Sequence, residues 1–137
     1  MKWKIEARGH PRITATHPTT FMFTKEKEIF GRGDCIVGVG ASASAAELPK
    51  KLKQLLRQGR KINIILSAGS FSEKVVAEGA ATLTFTNTLD VVVRKSDYVC
   101  GRTVAIKANK AAADFSRDFV KYLQDPSVRV RMEIEAI

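Results

Sequence analysis

The sequence predicts a mainly β (α+β) protein: an antiparallel β-sandwich, jelly-roll-like in its strand order, built from an internal duplication and carrying two amphipathic helices. Three observations favour this class. Short segments alternate apolar with polar residues, are rich in β-branched and aromatic side chains, and are separated by turn residues. Two long stretches of the chain align with each other. Each stretch ends in a segment whose apolar residues recur at helical spacing.

The internal repeat carries most of this prediction. Residues 9–32 align with residues 79–102 without a gap, and six of the 24 positions are identical, including the closing Gly-Arg. When three residues around 33–35 are removed, residues 36–48 align with 103–115 in the same way. Self-similarity over such a length is typical of a duplicated segment.

Ten short strands follow from the alternating pattern, three of them in each repeat. They are expected at residues 2–8, 12–16, 20–25 and 35–40, at two places within 61–79, and at 82–86, 89–95, 103–108 and 128–137. Short turns between successive strands imply antiparallel pairing, and so many strands must divide into two packed layers. We expect a single domain, residues 1–137, with tandem repeats at about 9–58 and 79–124.

Each repeat closes with an amphipathic helix. Pro49 is expected in the first turn of the first helix and Gly59 just after its end. The second helix is expected to end before Pro126, because the residue preceding a proline avoids the α conformation. The apolar stripe is the same in both helices, where four positions of one align with four of the other: Leu48, Leu52, Leu55 and Leu56 with Phe115, Phe119, Tyr122 and Leu123.

Composition limits the function classes. Among 137 residues, 23 Lys and Arg against 14 Asp and Glu give a net charge of +9, which favours a polyanionic partner or, equally, a merely solvated basic surface. The apolar runs are too short to span a bilayer and the N-terminus does not resemble a signal peptide, so we expect no membrane partner and a cytoplasmic location. Two cysteines are too few for a disulfide framework, although they could pair with each other.

The first helix is the most basic segment of the chain. Lys50, Lys51 and Arg57 lie around it while its leucines face inward, so these three residues are candidates for binding RNA or another polyanion. Sequence-specific recognition of RNA would also need exposed aromatic side chains, and most aromatic residues fall at positions expected in the core. Non-specific electrostatic contact is therefore the form of binding that the sequence favours.

A polar pocket is the alternative site. His10, His17, Asp34 and Cys35 are candidate catalytic residues, since an imidazole or a thiol beside a carboxylate can act as base or nucleophile. The competing interpretation makes both imidazoles turn caps and the Gly-Asp-Cys segment an ordinary polar turn. No standard metal-ligand spacing occurs, so neither a metal nor a cofactor is predicted.

Arg32 and Arg102 close the two aligned segments and therefore occupy equivalent places in the repeats. If the repeats are related by a pseudo-twofold axis, the two guanidinium groups lie symmetrically and could hold a phosphate or carboxylate together. Each arginine could instead pair with a neighbouring acid, Asp34 or Asp97. The sequence leaves both alternatives open.

Three segments, "ARGHPRITATHPTTF.FTK", "GRGDCIVGV" and "RKSDYVCGRTVAIKANKAAADF", resemble an archaeal family known as domain of unknown function 371. The resemblance covers nearly the whole chain and implies a mainly β, jelly-roll-type fold and an archaeal source. It implies no activity and no catalytic residues. The chain differs from the family pattern at Met22, where the family has an acid, and at Ala80 and Ala81, where a second His-Pro could stand.

Two functions are compatible with these features. The first is a non-catalytic module that binds an anionic partner, with RNA favoured, through Lys50, Lys51, Arg57 and the paired Arg32 and Arg102. The second is a small-molecule enzyme or sensor whose pocket contains His10, His17, Arg32 and Asp34, with Thr19 and Cys35 beside them. The oligomeric state is not predicted by the sequence.

Overall fold

A computed structural model describes residues 1–136 and confirms the mainly β class, with two helices. Its strands are β1 (Lys2–Arg8), β2 (Thr20–Thr24), β3 (Ile36–Gly38), β4 (Lys61–Ala68), β5 (Phe71–Glu78), β6 (Asp90–Arg94), β7 (Thr103–Ala105) and β8 (Arg129–Glu135). The helices are α1 (Lys50–Leu56) and α2 (Arg117–Leu123), each preceded by a 3₁₀ turn, at Ala45–Glu47 and Ala112–Asp114. Ile137, the last residue of the final predicted strand, lies outside the described residues.

The strands form two sheets of four. The first has the order β1-β8-β4-β5 and is antiparallel throughout, whereas the second has the order β3-β2-β6-β7. In the second sheet only the central β2–β6 pair is antiparallel, because β3 and β7 join it in parallel. The fully antiparallel pairing predicted from the sequence is therefore wrong at these two edges. The long connections before β3 and β7 return the chain so that it runs alongside its neighbour in the same direction.

Both sheets contribute to one hydrophobic core. Along β4, every second side chain is buried, as expected of a strand with one face on the core and one on solvent. All five residues of β2 are buried, so both faces of the second sheet are covered near its centre. Phe21 of β2 packs edge-to-face on Phe115 before α2, with ring centroids 5.1 Å apart. The helices thus close over apolar side chains that the strands leave uncovered.

The two halves of the chain repeat the same order of elements and many of the same hydrogen bonds. Arg8 and Val39 exchange backbone bonds of 2.8 and 2.9 Å, and Glu78 and Ile106 exchange the corresponding pair at 2.8 Å. Reversing the strand order of either sheet exchanges each strand for its counterpart in the other half. The halves are therefore structurally equivalent, and the ancestral duplication stays a prediction.

Two of the ten predicted strands, at residues 12–16 and 82–86, are wrong. Each segment begins in a turn and lies outside the sheets, and Ala15 (φ 47°) and Phe85 (φ 51°) within them adopt the left-handed conformation. Side chains still alternate between buried and exposed through both segments, but a residue with a positive φ is outside the β region that a ladder of backbone hydrogen bonds requires. The amides of Thr16 and His17 instead both donate to the backbone oxygen of Asp34, at 3.0 and 3.1 Å. The left-handed residue therefore directs this segment toward a loop instead of a strand.

The extra residues of the first half lie in a different place from the one that the alignment predicts. The amide of Met22 donates to the oxygen of Cys35, and that of Val92 donates in the same way to Arg102. Arg102 is therefore the counterpart of Cys35, and the predicted equivalence of Arg102 with Arg32 is wrong. The length difference falls at residues 27–32, opposite residues 97–99 of the second half. We call residues 27–32 the long loop.

Candidate functional site

A cavity of about 680 Å³ opens where β1 ends, and we call it the His10 cavity. Glycine is required at its floor, because a Cβ on Gly9 would overlap the backbone oxygens of Leu123 and Asp125. The chain therefore turns tightly over the end of α2. The residues that line the cavity are 8–12, Lys27, Glu28, Val39, Gly40 and Pro126.

His10 is the buried polar residue of this cavity, with 9% of its surface exposed. Its Nδ1 accepts the backbone N–H of Arg12 at 3.0 Å, and its Nε2 lies 3.1 Å from a carboxylate oxygen of Glu28. Because Nδ1 accepts, the proton of the neutral ring is on Nε2 and is donated to Glu28. Neither ring nitrogen is left to take a proton from a substrate or to bind a metal. The geometry gives His10 a positioning role.

His17 caps a turn in the same manner. Its Nδ1 accepts the backbone N–H of Thr19 at 3.2 Å, two residues along the chain as at His10. In the second half Asn87 occupies the equivalent place, and its Oδ1 accepts the amides of Leu89 and Asp90 at 2.9 and 2.8 Å. An asparagine side chain is a common cap of such turns. His17 is therefore part of the framework, and it does not line the His10 cavity.

The long loop forms one wall of the cavity. Arg12 fixes it by donating to the backbone oxygens of Ile29 at 3.0 Å and Gly31 at 3.3 Å. Lys27 and Glu28, at the start of the loop, face the cavity. The loop that is three residues longer in the first half thus supplies two side chains to the cavity.

Two smaller cavities continue the His10 cavity across one end of the first sheet, from β1 over β8 to β4. The nearer, of about 250 Å³, shares Arg8 and Gly40 with it and extends to Ser42 and Arg129. The farther, of about 370 Å³, shares Glu6 and Arg129 with the nearer one and reaches Arg131 and Gly69. We call the three together the basic groove, because five Lys and Arg residues line it against two acids: Arg8, Arg12, Lys27, Arg129 and Arg131 against Glu6 and Glu28.

At the centre of the groove two like charges face each other across a strand pair. Every outward pair of β1 and β8 joins opposite charges, Lys2 with Glu135, Lys4 with Glu133 and Glu6 with Arg131, until the last, which joins Arg8 with Arg129. The equivalent pair, between β5 and β4, is Glu78 with Lys61, and its charges are opposite. Like charges directly opposite one another destabilise a sheet. This departure from an otherwise complementary pattern occurs where the cavities meet.

Three of the groove's cations have no acidic partner. Arg131 pairs with Glu6 at 2.7 Å, and Arg12 is hydrogen-bonded to the long loop. In contrast, the side chains of Arg8, Lys27 and Arg129 form no ion pair or hydrogen bond with any residue of the described part of the chain, 1–136. All three are exposed. An anion could therefore bind these guanidinium and ammonium groups without first breaking an ion pair within the protein.

Cys35 and Asp34 do not form a nucleophile and base. Burial raises the pKa of the Cys35 thiol, and the nearby Asp34 carboxylate raises it further, against the lowering effect of Arg102. The thiol is therefore protonated at neutral pH, and a protonated thiol is a poor nucleophile. The role of Asp34 lies in its backbone oxygen, which fixes the loop before β2.

The other cysteine has the opposite electrostatics. Burial acts to raise the pKa of Cys100, but the backbone N–H of Arg102, the Thr103 hydroxyl and the Arg94 guanidinium outweigh it and lower the pKa to about 7. Arg94 donates to the sulfur at 3.4 Å. Both cysteines are free thiols. From these pKa shifts we expect Cys100 to react faster than Cys35, and no pattern in the sequence distinguishes the two.

The arginine pair predicted to hold an anion is not assembled. Arg102 donates to Asp90 at 3.1 Å, while Arg32 is exposed on the long loop. Neither arginine lines the basic groove. The absence of a shared site follows from the shifted alignment, since the two residues are not structural counterparts.

The basic residues of α1 and its C-terminal end divide into two kinds. Lys50 and Lys51 are exposed. Arg57 instead has a structural role, because its Nε donates to the oxygen of Leu83 at 2.9 Å and its guanidinium stacks 4.9 Å from the Phe85 ring centre. None of these three residues lines the groove.

Of the residues predicted as sites, only His10 lies in the groove. The residues missed are Arg8, Arg129 and Lys27, and part of the signal for them was present in the sequence. When the charged residues of "KWKIEAR" are paired with those of "VRVRMEIE", every pair joins opposite charges except one, which joins two arginines. Finding it requires the register of β1 against β8, which pattern alone does not supply.

No helix within residues 1–136 is long and apolar enough to cross a membrane.

The model of a family described as a domain of unknown function (DUF371) matches residues 5–137. An uncharacterized protein of the archaeon Methanocaldococcus jannaschii is 37% identical over 125 residues, covering 91% of this chain and 93% of that protein. The chain belongs to the DUF371 family, which the sequence resemblance predicted.

Proposed function

We propose that the protein is a non-catalytic module that binds single-stranded RNA, with the phosphates of the strand lying along the basic groove. The observation that carries the proposal is the Arg8–Arg129 pair. Its mutual repulsion costs stability, and each side chain is exposed and without an acidic partner within residues 1–136. A bound phosphate between the two guanidinium groups would convert this repulsion into two charge-assisted contacts.

The shape of the groove favours a chain over a compact ion. Three adjoining cavities cross one end of the first sheet from β1 over β8 to β4. Lys27 and Arg12 line the first, Arg8 lies where the first meets the second, Arg129 where the second meets the third, and Arg131 in the third. Cations spaced along a groove track a phosphodiester backbone, which carries one charge per nucleotide. The net charge of +9 adds a long-range attraction for the same partner.

Catalysis is not part of the proposal. The one imidazole in the groove uses both nitrogens within the protein, to Arg12 and Glu28. The low-pKa thiol of Cys100 does not line the groove. No observation favours the small-molecule enzyme over a binding module.

The test compares two double variants with the same change in charge. We expect R8Q/R129Q to bind a fluorescently labelled 12-nucleotide single-stranded RNA at least about tenfold more weakly, measured by anisotropy at low salt. The slope of log affinity against log salt concentration should fall in magnitude by about 1.4, because two phosphate contacts are lost.

The matched control is K50Q/K51Q, which removes two positive charges from α1, outside the groove. We expect it to bind RNA nearly as the wild type does. If K50Q/K51Q loses affinity and R8Q/R129Q does not, the helix is the interface and the groove is not. If the wild-type protein binds no RNA at about 50 mM salt, the proposed function is wrong.

A further inference from the structure

Beside the His10 cavity lies a smaller cavity of different chemistry, about 180 Å³ in volume. Its apolar walls include Phe30, Leu89 and Met22, and its carboxylates are those of Glu26, Glu28 and Asp90. It shares Glu28 with the His10 cavity, so the two adjoin. One side of this shared wall is cationic and the other is apolar and acidic.

Phe30 is the most exposed large apolar side chain of residues 1–136, with 74% of its surface accessible. It lies in the long loop between Ile29 and Gly31, the two residues whose backbone oxygens Arg12 holds. The ring therefore projects into solvent from a loop whose backbone Arg12 holds on both sides of Phe30, and Arg12 also lines the groove. An exposed aromatic face on a fixed backbone beside a basic groove is the usual arrangement for stacking a base.

We propose that the cavity at Phe30 takes a nucleobase of the RNA strand whose phosphates lie in the basic groove. This inference rests on the proposed function and adds to it a base-binding position. The carboxylates of Glu26 and Glu28 repel phosphate but accept hydrogen bonds from the amino group of a base. The ring of Phe30 supplies the stacking surface, and Leu89, itself partly exposed, extends the apolar wall.

The charge pattern favours a nucleotide over an apolar peptide side chain as occupant. With a base in the Phe30 cavity, its phosphate would lie beyond Glu28 in the His10 cavity, where Lys27 and Arg8 have no acidic partner among residues 1–136. A neutral apolar group would use the ring but leave those cations without a partner. The bipartite site therefore matches a ligand that is aromatic at one end and anionic at the other.

The experiment separates base binding from phosphate binding. A labelled six-nucleotide oligoadenylate and an abasic sugar-phosphate chain of the same length are titrated into wild type, F30A and Y98A. Tyr98 is the matched control, because it is also an exposed aromatic residue, 60% accessible, and lies outside both cavities. We expect F30A to weaken oligoadenylate binding about tenfold and to leave abasic-chain binding unchanged, with Y98A unchanged for both.

The outcomes distinguish the two proposals. Equal oligoadenylate affinity for F30A and wild type, with the loss in R8Q/R129Q retained, overturns base binding at Phe30 and leaves the groove standing. An equal loss for both ligands in F30A also overturns base binding, because the effect would then be on the groove. Failure of both ligands to bind wild type removes the groove and the base site together.

Discussion

The first half of the molecule and the second share a backbone and differ in what they place on it. Where β1 ends beside β8, the molecule has His10, the Arg8–Arg129 pair and a six-residue loop. At the equivalent place, where β5 ends beside β4, it has Ala80, the Glu78–Lys61 pair and a three-residue loop. The His10 and Ala80 oxygens accept the same turn bond, from Ile13 at 3.0 Å and Leu83 at 3.2 Å. The imidazole is thus not needed for the turn.

This comparison separates framework from site. Where the two halves make the same kind of hydrogen bond, the side chains involved stabilise the fold. The turn caps made by His17 and Asn87 are an example. Side chains that have no counterpart in the other half are not required by the shared fold. Three of them, His10, Lys27 and Glu28, line the basic groove, where the proposed function is placed.

The largest expected effect is a loss of stability when the glycine that packs against the end of a helix is replaced in either half. A Cβ on Gly79 would overlap the Leu56 oxygen, and one on Gly9 would overlap the Leu123 oxygen in the same way. Since backbone atoms cannot move aside cheaply, we expect Gly9→Ala and Gly79→Ala each to lower the free energy of unfolding by about 3 kcal/mol. Urea denaturation measures both.

Gly31→Ala is the control for this pair. Gly31 has a positive φ of 61°, but a Cβ at this position would meet nothing within 4 Å, so only backbone strain is added, about 1 kcal/mol. A Gly79→Ala variant as stable as the wild type, beside a destabilised Gly9→Ala, would show that the helix-end packing is not shared.

The next effect concerns the two cysteines, whose surroundings differ between the halves. With a pKa of about 7, Cys100 is roughly half ionised at pH 7, whereas burial holds Cys35 in the thiol form. We expect iodoacetamide to modify Cys100 about tenfold faster than Cys35 at pH 7, after allowing for the lower nucleophilicity of an acidic thiol. Mass spectrometry of the digested protein gives both rates.

The pH dependence of alkylation shows in which direction the pKa of Cys100 is shifted. Alkylation of Cys100 should rise with pH and level off above about pH 8, because the thiolate is the reacting form and the pKa is about 7. Replacing Arg94 by glutamine removes a cation 3.4 Å from the sulfur and should move the midpoint upward. A midpoint near 9 in the wild type, the ordinary value for a thiol, would contradict the electrostatics described for Cys100.

Features that follow from the spacing of apolar residues were predicted from the sequence. Features that depend on which residues pair between strands were not. Alternation along β4 and β8 and the stripe of leucines in α1 were sufficient for the class, since burial imposes those periods. Residues 12–16 alternate equally well, yet the left-handed Ala15 removes them from the sheet. The groove could not be found in this way, because Arg8 and Arg129 lie near opposite ends of the chain and meet only through the pairing of β1 with β8.

The smallest expected effect bears most directly on why the halves differ. Arg129→Glu would give the pair at the end of β1 opposite charges, as in the equivalent pair of Glu78 with Lys61. We expect the variant to be more stable than the wild type by about 0.5 kcal/mol in urea denaturation, a gain that salt should reduce. The same variant should bind RNA more weakly, so that stability and binding change in opposite directions. If Arg129→Glu is instead less stable than the wild type, the two arginines do not repel each other in the folded protein, and the groove loses the feature that marks it as a site for an anion.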